Sequence, residues 1–185
     1  MKFTKKHALL ISVLAVMMAL CTVVGATLAY LFVKTDPVVN TFTPSNINIT
    51  LKETTGEEYK MVPGTTIAKD PKVTVIEGSE DCWLYVEVIK ANDVDNYLTV
   101  TMASGWTQIT GTNIWYYTGT ITQGTPISVL ANDQVAVKDT VTKGMMDSLE
   151  AGTAALPTIT FNAYAIQKEA GVNAVAAWNA TYGNN

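Results

Sequence analysis

The 185-residue chain has no arginine, one histidine and two cysteines. Each scarcity removes a class of activity. The histidine, His7, lies at the very start, so a serine or cysteine nucleophile further along has no histidine base. A zincin arrangement loses its histidine pair in the same way. Neither a Gly-x-Gly-x-x-Gly stretch nor a Walker loop is present, which removes the common phosphate cradles. Without arginine and with an acidic balance, the surface is a poor match for nucleic acid or anionic lipid. Cys21 falls in the N-terminal apolar run and Cys82 has no partner after it. No intramolecular disulfide can staple the remainder, so its own core must hold it.

What is present begins at the N-terminus. Lys2, Lys5 and Lys6 precede an uncharged apolar run from Ala8 to Val33. Near its end, Thr27 and Ala29 are small residues at the positions a signal peptidase reads, ahead of bulky Tyr30. This is the layout of a secretory signal and predicts cleavage after Ala29. The run also exceeds the roughly 20 residues a bilayer span requires, so retention as a membrane anchor is the alternative. Either way the lysines stay cytoplasmic and the rest of the chain goes outside. Leu20 is too large for a lipidation site at Cys21. The expected organisation is a signal peptide over residues 1–29 and one β-sandwich domain over residues 30–185. The latter carries nine lysines against sixteen acidic residues, a net charge of −7.

Beyond the leader the pattern is β. Ile47, Ile49 and Leu51 alternate with polar residues over 46–51, and Val73 and Val75 do so over 72–76. Residues 83–89 set Leu84, Val86 and Val88 against Trp83, Tyr85 and Glu87. Further strands are expected over 97–102, 106–109, 114–118 and 127–130, with the longest over 156–167. Pro63-Gly64, Gly78-Ser79, Asn92-Asp93, Ser104-Gly105 and Gly111-Thr112 punctuate the runs. Helical spacing is confined to 141–149 and to the alanine-rich stretch 173–181. The fold class is all-β, a sandwich with short helical insertions.

Candidate chemistry is sparse. Glu57-Glu58, Glu80-Asp81 and Asp93-Val94-Asp95 could serve as paired carboxylates, but each falls at a turn, where acids are ordinarily solvated. Asp93-Val94-Asp95-Asn96 lacks the glycine and distal glutamate of a calcium loop. Cys82 lies in a strand and reads as a buried, inert thiol. Trp115-Tyr116-Tyr117 is the best exposed row of aromatics for stacking on sugars. No catalytic, cofactor-binding or metal residues are expected.

Three stretches share a pattern with a known family. They are Ala26-Thr27-Leu28-Ala29-Tyr30, the run from Asn40 through Phe42 and Pro44 to Ile49, and Met61-Val62-Pro63-Gly64 through Lys69-Asp70-Pro71 to Val75. Over its first half the chain resembles the TasA/camelysin family of Gram-positive secreted proteins. The resemblance implies a jelly-roll β-sandwich, removal of the leader by a SipW-type signal peptidase, and export to the cell surface or biofilm matrix. It implies self-association into fibres, one subunit donating its N-terminal strand to the next, among matrix or cell-wall components. The expected assembly strand is Tyr30 to Phe42, with Leu31, Val33, Val38, Val39 and Phe42 as its apolar side chains. Camelysins are classed as metallopeptidases, and this chain has no histidine ligand to carry that over. The leading expectation is a non-enzymatic structural subunit. The alternatives are a camelysin-like secreted protease and a surface glycan-binding adhesin.

Overall fold

In chain order the strands are β1 (Ile49–Lys52), β2 (Thr66–Ala68), β3 (Lys72–Val75), β4 (Cys82–Ala91), β5 (Leu98–Thr99), β6 (Trp106–Gln108), β7 (Ile114–Tyr117), β8 (Ile127–Ser128), β9 (Gln134–Val137) and β10 (Thr158–Gln167). Among the described residues from Pro44 onward, three α-helices interrupt them: α1 (Val94–Tyr97), α2 (Lys143–Glu150) and α3 (Ala174–Tyr182). This computed structural model describes residues 13–14, 46–56 and 59–183. The chain divides into Met1–Thr43 and Pro44–Asn185, and the mostly-β fold is that of the second unit. Among the described residues no helix is long and apolar enough to cross a membrane.

The backbone of the domain is the antiparallel ladder of β4 and β10, ten residues on each strand, from Thr158↔Ala91 to Gln167↔Cys82. It anchors a sheet of order β10-β4-β7-β6. Strand alternation sends Leu84, Val86 and Val88 inward, onto Val73 and Val75 of β3 and onto Val129. It sends Tyr85 outward under α3, where the Tyr85 hydroxyl donates to the Ala174 carbonyl at 2.8 Å. The Trp178 ring lies 5.0 Å from that of Tyr85. Asn173 caps α3 by accepting from the Ala176 amide at 2.9 Å.

The opposing layer comprises β1-β3-β8 and β2-β9-β5. These run on into one another through a bend. On one side Lys69 to Pro71 joins β2 to β3, where a proline is tolerated because its missing donor falls between ladders. On the other, a 3-10 turn over Ala131–Asp133 precedes β9, with Asn132 and Asp133 at φ of 55° and 53°. Val129 N–H donates to Pro71 O at 3.0 Å and Lys69 N–H to Asp133 O at 2.8 Å, which ties the two sides together across the bend.

Asp70 fixes this bend to the loop after β1. It accepts from the Thr54 amide at 2.8 Å, the Thr54 hydroxyl at 2.6 Å and the Thr55 amide at 3.0 Å. The Thr54 hydroxyl and amide, followed by Thr55, hold its carboxyl far below the usual range. The folded form thus prefers the ionised acid. That stabilisation is present above an ordinary aspartate pKa of about 4 and is lost as the pH falls through the folded value. We expect Asp70→Asn to be less stable than wild type at pH 7, with the gap closing toward acid. Urea denaturation across the pH range checks this, and a gap that widens on acidification contradicts it.

The expected strand over 97–102 is a correction. Asn92 and Asp93 take left-handed φ of 59° and 55°, which turns the chain into α1 instead. Val94 and Tyr97, three apart, bury one helical face in the cluster with Leu98, Val137, Val141 and Leu149. Only Leu98–Thr99 remains as strand, and Met102 makes an isolated bridge to Leu130. The two expected helices are present as α2 and α3.

Candidate assembly site

Every interior strand of the β10-β4-β7-β6 sheet is paired on both sides, but β10 stands at its edge. Among the described residues it pairs with β4 alone. Among the described residues, the N–H and C=O groups that this ten-residue strand points away from β4 therefore have no ladder partner, the feature that invites a further strand. β1, the edge strand of the other layer, runs beside it with Cα atoms within 8 Å. No backbone hydrogen bond between the two strands is found among the described residues.

Side-chain burial marks the same flank. On the central strands the inward residues are sealed, as with Val73, Leu84 and Val86 at 0 % exposure. Along the seam, Ile47, Ile49 and Leu51 on one side and Ile159, Phe161, Ala163 and Ala165 on the other touch that core but are only partly buried. The core is under-covered where the two edges meet. At the outer face of β10, Asn162 and Tyr164 both donate to Glu87 Oε2 at 3.0 Å, and Asn113 donates to Oε1 at 3.1 Å. These donors, Asn162 foremost, hold the Glu87 carboxyl below its usual range.

At the Thr158 end of β10 the seam opens into a groove of about 820 Å³. Its aliphatic wall includes Met61, Ile67, Leu98 and Ile159, and Leu156 at its rim is 63 % exposed. Across the mouth, Lys69 Nζ sits 2.9 and 3.0 Å from the Glu53 oxygens. The same ammonium lies 5.0 Å from the Tyr59 ring and 5.7 Å from that of Phe161. The ammonium is thus paired with a carboxylate and flanked by two aromatic faces. Burial, and then the hydrogen bond to Glu53, push the Tyr59 hydroxyl above its usual range.

The residues expected from sequence fall as follows. Thr27, Ala29, Tyr30, Leu31, Val33, Val38, Val39 and Phe42 lie outside the described residues, as do Glu57 and Glu58. Cys82 is buried, a free thiol pushed up by desolvation. The aromatic row is a correction: Trp115, Tyr116 and Tyr117 are half-buried and alternate between faces. Trp115 and Tyr117 lean on the inner core, Tyr117 lying 5.2 Å from Trp106, while Tyr116 joins the α3 side. Asp95 is engaged by Lys90 at 2.8 Å. Among the described residues no three His, Cys, Asp or Glu side chains are grouped to hold a metal ion. The alternating run 156–167 signals the strand β10 but carries no mark of its place at the sheet edge. The chain matches no family model, no curated protein and no solved structure.

Proposed function

We propose that this is a secreted structural subunit, a jelly-roll-like sandwich that builds fibres by accepting an N-terminal strand from a neighbouring copy along β10. The observation that carries the reading is the ten-residue edge of β10, which among the described residues has no second ladder partner, on the flank where the core is half-covered. Connectivity supports it. Counting β2 with β3 and β8 with β9 as single bent strands leaves eight strands in two layers among the described residues, the number of a jelly roll. In that fold the last strand lies between the first and the third. Here the last strand, β10, pairs with the third, β4, while the first, β1, pairs with β3 in the opposite layer. The place beside β10 is thus the one a first strand takes.

A strand added there satisfies the exposed backbone groups and covers the partly buried seam. Inserting it requires two strand spacings of about 4.8 Å each between β1 and β10, so the seam widens on docking. The leader, cut by a SipW-type signal peptidase, would deliver the subunit to the cell exterior. There it would join matrix or cell-wall components without any catalytic role. Electron microscopy of the mature protein tests the reading: fibres are expected, and a persistent monomer at high concentration refutes it. We also expect no chelator-sensitive cleavage of casein, since the chain beyond the leader has no histidine and one cysteine, whereas a catalytic zinc takes three protein ligands. Stoichiometric zinc with chelator-sensitive cleavage would instead favour the protease.

A further inference from the structure

The strand-addition reading leaves the register open, and the side chains of β10 fix it. We infer that residues 31–37 of a second copy run antiparallel to β10, with Leu31 beside Ala165, Val33 beside Ala163 and Pro37 beside Ile159. This inference rests on the reading above.

Volume is the first argument. The inward residues of β10 are large at one end, Ile159 and Phe161, and small at the other, Ala163 and Ala165. All four are partly buried, and the two alanines, having the smallest side chains, call for the bulkier residues of an incoming strand. In the segment Tyr30-Leu31-Phe32-Val33-Lys34-Thr35-Asp36-Pro37, alternation groups Leu31, Val33, Thr35 and Pro37 on one face. The two bulky members meet the two alanines, and smaller Thr35 meets Phe161. Shifting by two residues toward Val38 would set polar Thr35 against Ala163 and leave Val33 as the one apolar side chain on an alanine. The parallel alternative fails differently. With the leader cut after Ala29, a parallel strand that puts Leu31 and Val33 on the alanines has no residues left to cover Ile159 and Phe161.

Charge and chain length agree. The register sets Lys34 on the outer face beside Asn162, whose partner across the ladder is Glu87. That carboxylate is held by three neutral donors, and a lysine reaching across β10 supplies its counter-charge. Proline lacks an amide donor and suits the end of an added strand. From Pro37 the nine steps to Asn46 span about 30 Å when extended, enough to return to β1 of the donor's own domain.

The test is a size exchange in the full mature protein. Ala163→Val should raise the concentration needed for assembly about tenfold, as should Val33→Ala. The pair Val33→Ala/Ala163→Val should return to within about threefold of wild type. Because a bulkier β10 could perturb folding, monomer melting is followed in parallel. Separately, mixing Val33→Cys copies with Ala163→Cys copies under mild oxidation should yield a mixed disulfide, identified by peptide mapping. A disulfide that forms only with Ala165→Cys, or single variants that weaken assembly without rescue by the pair, overturn the register alone. A wild type that never polymerises overturns the underlying reading and the register with it.

Discussion

Removal of Tyr30 to Val39 from the mature protein should abolish fibres and leave a folded monomer. The described hydrophobic clusters draw on residues from Ile47 onward, and the β4–β10 ladder is complete without the segment. The domain therefore keeps its core. The deletion removes the whole inward face of the donated strand, Leu31 and Val33 among it. Burying those two side chains alone contributes on the order of 3 to 6 kcal/mol before ordering costs. Even half of that is a decade or more in association constant. Sedimentation and electron microscopy read the loss of polymer, and far-UV circular dichroism reads the retained fold. Fibres that persist at wild-type concentration, or a truncated chain that does not fold, would rule out strand donation from this segment.

Tyr85→Ala should be the most damaging single substitution in the sheet. The side chain is fully buried, packs at a tilt against the Trp178 ring and hydrogen-bonds the Ala174 carbonyl. Loss of a buried aromatic costs about 3 to 5 kcal/mol, and the carbonyl left behind adds to this. For a domain of this size the melting temperature should fall on the order of 10 °C or more. Tyr85→Phe keeps the ring and loses the hydroxyl alone, an expected cost of about 1 kcal/mol. Hydrogen exchange should show α3 losing protection in the alanine variant first. Equal destabilisation by the two variants would mean that the hydroxyl, and not the ring, holds α3 down.

The strands read correctly from sequence are those whose alternation runs long enough to be unambiguous, above all the two ten-residue partners β4 and β10. β2 was invisible because three residues after Pro63-Gly64 show no period. β9 did carry a signal, Val135 and Val137 against Gln134 and Ala136, but the preceding Asn132-Asp133 reads as a loop. α1 replaced part of an expected strand because consecutive left-handed residues reset the chain direction, which apolar spacing alone does not reveal. The candidate site was legible by halves. A donor segment can be proposed from its β-forming residues, whereas an acceptor edge is a property of pairing. Nothing local to residues 158–167 says that one side of that strand is left without a partner.

The β4–β10 ladder also has a mechanical meaning. A strand docked on β10 would pass tension along the strand direction, not across it. Such a pull loads the bonds of the ten-residue ladder in parallel, so that they must yield together instead of unzipping one after another. A subunit with no disulfide to resist stretching would then place its longest register of hydrogen bonds directly in the line of force.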